Sequence, residues 1–251
     1  MTVKATGAAP TEVGNGLARE LMSRLRGQLV RPADDGYDKA RLVWNGMVDK
    51  RPALIARCAG VADVITAVSF ARTQSLPVAV RGGGHNVAGS GVCDDGLVID
   101  LSLMNSVRVD PGRGTVRADG GVTIRQLDHE TQAFGLAVPM GVVTATGIAG
   151  LTLGGGLGWL RRKHGLSSDN LISVDIVTAD GQLLTASDEQ NRDLFWGVQG
   201  GGGTSGSSRR SSTGHIPWGP TCSSPLSCTR AGTPMKRCAS TASGRSPLLT
   251  R

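Results

Sequence analysis

The sequence predicts an α+β fold, and three observations carry that prediction. A strand, a helix and a second strand follow one another over residues 53–80, two short alternating segments at 106–118 read as a hairpin, and a glycine-rich loop stands at the carboxyl end of the second strand, where open α/β sheets bind ligands. At 251 residues and 39% hydrophobic content, the chain is long enough to bury a core as one large domain or two small ones.

After a polar leader, Glu12 to Leu29 reads as an amphipathic helix, with Leu17, Leu21, Leu25 and Leu29 four residues apart. A polar turn at 32–36 follows, and Trp44-Asn45-Gly46 closes a short helical piece. Ala53 to Arg57 reads as a strand. Gly60 to Ser75 carries Val61, Val64, Ile65, Val68 and Phe70 about one turn apart, so it reads as a helix, and Leu76 to Val80 reads as a short buried strand. This is a βαβ unit, which requires a right-handed crossover and normally a parallel pair. Gly96 to Leu101 is a further strand. Ser106–Asp110 and Thr115–Ala118 alternate like a hairpin joined at Pro111-Gly112, Val122 to Gln132 reads as a helix, and Leu171 to Gly181 reads as a half-buried strand entering an Asp-Gly turn.

Several function classes fall away. No run of eighteen apolar residues appears, so no membrane-spanning helix is expected, and the leader has no apolar segment of secretory length, which makes cytoplasm the expected location. Five cysteines without a CxxC pair argue against a zinc site and against a disulfide scaffold; Cys58 and Cys93 read as small core residues or ordinary thiols. The formal charge of +7 is uneven: seven of the 27 basic residues, and no acidic one, lie at 204–251, leaving 20 basic against 20 acidic residues before it. That tail has no Val, Phe or Tyr and a single Trp, so by composition it is disordered, supplies neither strands nor core, and lacks the interleaved aromatics of a nucleic-acid binder.

Two passages carry chemistry. Val80-Arg81-Gly82-Gly83-Gly84-His85-Asn86, continued to Gly89-Ser90-Gly91, removes three successive Cβ atoms at a strand end, so its N–H groups can line an anion-binding concavity; a glycine-rich surface turn is the plain alternative. A dinucleotide fingerprint is disfavoured, because no G-x-G-x-x-G feeds straight into a helix. The second passage runs from Val138 through Gly141, Gly147, Gly150 and Gly154-Gly155-Gly156 to Trp159.

Together with Lys163-His164-Gly165-Leu166, Asp169-Asn170-Leu171 and Asp193-Leu194-Phe195-Trp196 through Gly200 to Gly203, these passages resemble an FAD-linked oxidase. The family is that of vanillyl alcohol oxidase and p-cresol methylhydroxylase, nearest its berberine-bridge-enzyme branch, and the match runs from about Tyr37 to Gly203. The resemblance implies a PCMH-type FAD-binding domain at 37–203, its two α/β subdomains at about 37–112 and 113–203 clasping FAD, after a leader and helix at 1–36.

It implies that Arg81, Gly82, Gly83, Gly84, Asn86, Gly89 and Ser90 hold the pyrophosphate, and that His85 carries the flavin through a covalent bond to its 8α-methyl carbon. Gly141, Thr146, Gly147, Gly150 and Thr152 would approach the flavin or its ribityl phosphate, while Val174 and Val177 flank the adenine end. Val143 stands where doubly linked members have a cysteine, so at most one link forms. Lys163 and His164 fit a solvated charge pair as well as a cofactor contact. The implied partners are a small-molecule hydride donor and dioxygen, and no general base can be nominated: Asp100, Asp175 and Asp180 suit turn and cap roles.

After Gly203 the family continues with an apolar strand resembling Asn-Phe-Gly-Val-Val-Thr-Ser-Phe-Glu, whereas Thr204-Ser205-Gly206-Ser207 stands here. Shifting the implied codons back by one base permits that strand, and Trp218 followed by Gly219 forces a glycine where the family pattern has one. The expectation is an out-of-frame segment from about residue 204, with the family's substrate domain absent.

Overall fold

The structure is a computed structural model that describes residues 14–202 and the backbone of a strand at 221–228. Its first lobe opens with α1 (Asn15–Arg24), β1 (Gln28–Val30) and α2 (Tyr37–Arg41), followed by β2 (Leu54–Arg57), α3 (Val61–Thr73), β3 (Val78–Arg81) and β4 (Leu97–Asp100). The sheet order is β1-β2-β4-β3. The βαβ reading is refined here: β2 and β3 do not pair with each other, and each runs parallel to β4, which lies between them.

Both faces of this sheet are covered, as alternation along the strands dictates. Leu54, Ala56, Leu97 and Ile99 face a core shared with Ala18 and Leu21 of α1 and Val64, Ala67, Val68 and Ala71 of α3. Ile55, Val98 and Ala79 face the opposite side, against Tyr37 and Val92. The leucine spacing at the N-terminus overstates α1. Leu25 adopts extended backbone, Gly27 passes so close to Arg57 O that no side chain fits, and Gln28–Val30 becomes an edge strand antiparallel to β2. Within 1–36, α1 and β1 therefore belong to the first lobe.

Asp63 ties this turn down. Only 3% exposed in the first turn of α3, its Oδ1 accepts Arg26 N–H at 2.9 Å and its Oδ2 accepts Gly27 N–H at 2.9 Å and Ala59 N–H at 2.8 Å. Three backbone donors that no ladder serves are satisfied by one carboxylate.

The second lobe begins with the hairpin β5 (Val107–Asp110) and β6 (Thr115–Ala118), then α4 (Ile124–Gln132), α5 (Ile148–Leu153) and α6 (Arg161–His164), β7 (Leu171–Val177), β8 (Leu183–Ser187), α7 (Arg192–Val198) and β9 (Thr221–Cys228). The sheet order is β5-β6-β9-β7-β8, antiparallel throughout. Its core joins Val116, Ala118, Val174, Ile176 and Ala186 of the strands to Ile124, Leu127, Ile148, Leu153, Phe195 and Val198 of the helices. Val177, at the far end of β7, instead enters the core of the first lobe.

One expectation is corrected. Composition denied the tail any strand, yet Thr221–Cys228 occupies the slot between β6 and β7. Two chains of N–H and C=O groups flank that slot, and the hydrogen-bonding requirement of the sheet outweighs the low β-propensity of the occupant. The pairing with β7 is irregular, with three register shifts, and Pro225, which has no N–H, lies inside the strand. The remainder of 204–251 lies outside the described residues.

Cys58 and Cys93 are free thiols, and burial pushes both upward, Cys93 to about 11. With its folded value above the unfolded one, the Cys93 thiolate amounts to only about one part in a thousand at pH 8. In a chain with Cys222, Cys228 and Cys238 replaced by serine, a thiol reagent at pH 8 is expected to label Cys58 and Cys93 slowly when native and readily in urea; fast native labelling contradicts this. Asp63→Ala should lower unfolding free energy by about 3 kcal/mol, and Asp63→Asn, which keeps one acceptor oxygen, by about half as much. Urea midpoints at unchanged slope report both, and a loss under about 1 kcal/mol for Asp63→Ala refutes the account.

Candidate functional site: a glycine cleft between the lobes

The first loop begins where β3 ends. Arg57, Asp100 and Arg81 stand in register on β2, β4 and β3, so three side chains meet at the carboxyl edge of the sheet. Arg81 Nη2 donates to Asp100 Oδ2 at 2.8 Å, Arg81 Nη1 donates to Leu42 O at 3.2 Å, and Arg57 Nε lies 3.6 Å from the same carboxylate oxygen. Arg81 and Asp100 are 7% and 5% exposed in their side chains. Breaking such a buried pair is costly because the partner is left charged and unpaired. The guanidinium of Arg81 is thus turned behind the loop, and its part in holding a cofactor is to anchor the backbone that follows.

From Gly84 to Gly91 the loop is braced by the Trp44–Lys50 segment, whose Trp44-Asn45-Gly46 was expected to close a short helical piece but lies beyond the end of α2 at Arg41. Trp44 N–H donates to Gly84 O at 3.0 Å, Asn45 Nδ2 to Val87 O at 2.8 Å, and Lys50 Nζ to Gly89 O at 3.3 Å and Val92 O at 3.1 Å. Asn86 closes the loop on itself: its Oδ1 accepts Ser90 N–H at 3.2 Å and its carbonyl accepts Gly89 N–H at 3.1 Å.

The second passage reaches the same place from the other lobe. Ile124 N–H donates to Thr146 O and Ile148 N–H donates to Val122 O, each at 2.9 Å, so residues 146–148 form a short antiparallel bridge with 122–124. This sets Gly147 against Gly83 backbone to backbone. A Cβ on either would collide with the other's main chain, and a Cβ on Gly82 would lie 2.9 Å from Gly120 O. Close approach without side chains is what glycine permits here. His85 stands at the margin, its ring stacked on Trp44 with centroids 5.4 Å apart and planes 20° apart, and its Nδ1 lies 3.5 Å from Thr146 Oγ1.

The other expected residues divide. Gly150 has open space beside it on α5, and Gly141 lies against the Leu151 side chain. Thr152 is fully buried with its hydroxyl 4.0 Å from Met140 Sδ, and Val174 and Val177 are fully buried in the two cores. Those three side chains face packed interior, and only their backbones remain to offer a nucleotide. Lys163 and His164 end α6, and the turn after it holds itself: Asn170 Nδ2 donates to His164 O at 2.7 Å and Leu166 O at 2.8 Å, and Asp169 Oδ2 accepts Leu166 N–H at 2.8 Å.

Around the glycines, large apolar side chains stand in solvent: Trp44 at 63%, Val142 at 55%, Val143 at 49%, Leu157 at 64% and Trp159 at 78% exposure. The three carboxylates considered earlier are occupied. Asp100 holds the arginines, Asp175 pairs with Arg117 at 3.0 Å and accepts Thr185 Oγ1 at 2.7 Å, and the Thr178 hydroxyl holds Asp180 below the usual carboxylate range. Among the described residues no group of three or more His, Cys, Asp or Glu is placed to hold a metal, and no helix is long and apolar enough to cross a membrane.

Two glycine loops in main-chain contact, with an imidazole beside them, suit a flavin nucleotide, whose phosphates backbone N–H groups would meet. The comparisons agree with this chemistry. The family described as an FAD binding domain matches residues 52–187. (R)-6-Hydroxynicotine oxidase of Paenarthrobacter nicotinovorans is 41% identical over 178 residues, covering 71% of this chain and 39% of that protein. The crystal structure of 6-hydroxy-D-nicotine oxidase from Arthrobacter nicotinovorans superposes with a TM-score of 0.69 at 41% identity, over 70% of this chain and 39% of that one. A glucooligosaccharide oxidase from Acremonium strictum, whose FAD is described as 6-S-cysteinyl, 8α-N1-histidyl, gives a TM-score of 0.74 at 26% identity, over 84% of this chain and 42% of that one. The chain thus spans about two fifths of the length of these relatives. Fold, glycine cleft and matched sequence converge: the chain belongs to the PCMH-type FAD-binding domain family of the FAD-linked oxidoreductases.

Proposed function

We propose that this chain is the cofactor-holding part of an FAD-dependent oxidoreductase that takes a hydride from an alcohol, an amine or an activated C–H carbon and is reoxidised by dioxygen. The observation that supports it most is the apposition of Gly83 and Gly147, with His85 at the edge of the cleft they form. The flavin, when bound, supplies the hydride-accepting chemistry. The residues of the chain would do the rest: backbone N–H groups from Gly82 to Asn86 would hold the phosphates, the apolar side chains of Val142, Val143, Leu157 and Trp159 would offer the ring system a surface, and His85 would tether the 8α-methyl carbon. Among donor classes, an amine has the support of the hydroxynicotine oxidase likeness.

A second reading has its own support. Because Asp100, Asp175 and Asp180 are all engaged, none of them is set to take a proton from a donor, which suits a domain that holds FAD without turning it over. Anaerobic addition of alcohols and amines to the flavin-loaded chain separates the two: bleaching of the oxidised flavin band supports turnover, and its persistence with every donor supports the holding role.

The irregular β9 supports a further proposal, that residues from about 204 onward are read out of frame. A central strand with proline and three register shifts is a poor occupant of the β6–β7 slot, whereas the shifted frame permits an apolar strand directly after the glycine run. Sequencing the coding DNA decides it; stop codons within a few dozen bases of the shifted frame refute it.

Acid precipitation of the expressed chain is expected to leave flavin fluorescence in the denatured pellet, and His85→Ala should move that fluorescence to the supernatant. Gly147→Ala, which forces a methyl into the Gly83 backbone, should lower FAD retention by about tenfold or more. Unchanged retention in Gly147→Ala, or no flavin in either fraction of the parent chain, contradicts the assignment.

A further inference from the structure

The segment from Trp44 to Lys50 hydrogen-bonds to the glycine loop through the loop's carbonyls: Trp44 N–H reaches Gly84 O, Asn45 Nδ2 reaches Val87 O, and Lys50 Nζ reaches both Gly89 O and Val92 O. The segment is itself fixed. Asn45 Oδ1 accepts Met47 N–H at 3.1 Å, and the Val48 side chain fills the space that a Cβ on Gly89 would need. In a trans peptide the C=O of one residue and the N–H of the next point in opposite directions, and no peptide among the described residues is cis. Holding the carbonyls of Gly84 and Val87 on one side therefore turns His85 N–H and Ala88 N–H to the other, where neither meets an acceptor among the described residues.

The side-chain donors of this segment differ in charge. Asn45 shows that a neutral amide is enough to hold a loop carbonyl, yet the end of the loop is held by an ammonium. Lys50 is half-buried, and no carboxylate stands within ion-pair distance of it among the described residues: Asp49 faces Arg41 and Arg51, and Asp94 accepts Arg51 N–H at 2.8 Å. A partly desolvated cation with only carbonyl dipoles for partners is short of negative charge, and an anion on the N–H side of the loop would supply it.

We propose that Lys50 is a positioning residue for the phosphate-bearing part of the cofactor, and that it makes the loop prefer FAD to a flavin without phosphates. This rests on the reading that the chain binds FAD at the glycine cleft. The ammonium acts in two ways. Its two bonds close the end of the loop by tying Gly89 to Val92, and its charge lowers the cost of bringing a pyrophosphate to the N–H groups. The isoalloxazine ring takes no part in either effect, so riboflavin, which has the ring and no phosphate, is insensitive to Lys50.

The test uses the full chain in a His85→Ala background, where flavin binding stays reversible. FAD and riboflavin are titrated separately by quenching of flavin fluorescence, with circular dichroism reporting the fold of each variant. FAD is expected to bind more tightly than riboflavin. Lys50→Met, which keeps the apolar stem, should weaken FAD binding by about tenfold and change riboflavin binding by less than about twofold. Lys50→Arg, which keeps the charge and the donors, should restore most of the loss. If Lys50→Met does not fold, Lys50→Gln, which keeps a donor without the charge, takes its place with the same expectation. Equal losses for FAD and riboflavin reduce Lys50 to a structural support and overturn the proposal. So do an unchanged FAD affinity in the neutral variant, a loss that arginine does not restore, and a parent that binds the two flavins equally. No bound FAD in this background or in the unmodified chain overturns the FAD reading as well.

Discussion

The contact of Gly83 with Gly147 is the constraint on which the site depends. Two loops from separate lobes meet main chain to main chain, and neither position accepts a Cβ. A single methyl would either part the lobes or tilt one loop, and both loops carry the N–H groups that a pyrophosphate would meet. The contact is stiffened from each side. Behind Gly82 the Arg57–Asp100–Arg81 cluster fixes the end of β3, and behind Gly147 the bridge to Thr123 fixes the entry of α5. Misplacing either support reaches the cleft through a few rigid bonds.

The division of labour between charge and backbone follows from this arrangement. An arginine before a glycine loop suggests a phosphate ligand, yet the Arg81 side chain is nine-tenths buried and already shared between Asp100 and Leu42 O. Freeing it for a phosphate would abandon a buried aspartate. In the proposed reading phosphate recognition falls to main-chain donors, which need no side-chain reorganisation. The Leu42–Lys50 segment serves the same end, holding Gly84, Val87 and Gly89 carbonyls from the far side of the loop.

Much of this was legible in the residues, and the parts that were not share a physical cause. Apolar period located α3, β4 and the β5–β6 hairpin to within a residue or two, and the glycine runs marked both halves of the cleft, because these signals are local. Strand order is not local: that β4 inserts between β2 and β3 depends on the whole sheet. Leu25 to Leu29 kept a helical spacing but left the helix, since Gly27 at the Arg57 carbonyl and the three N–H groups held by Asp63 reward a turn into β1. Val174 and Val177 were expected near adenine from motif position, but burial at both cores outweighs that proximity for their side chains. The strand at 221–228 was denied on composition, and a vacant pairing slot between β6 and β7 proved the stronger influence.

Three of the carboxylates are engaged in holding the lobes: Asp63 at the first turn of α3, Asp100 behind the loop, Asp175 across β6 and β8. The two glycine loops bring together backbone N–H groups and one imidazole stacked on Trp44, and exposed apolar side chains stand nearby in sequence. In the proposed reading those groups bind and orient the cofactor, whose ring system supplies the chemistry. A site built this way is selective for its cofactor and indifferent to its substrate, which is consistent with one fold serving relatives named for a hydroxynicotine and for glucooligosaccharides.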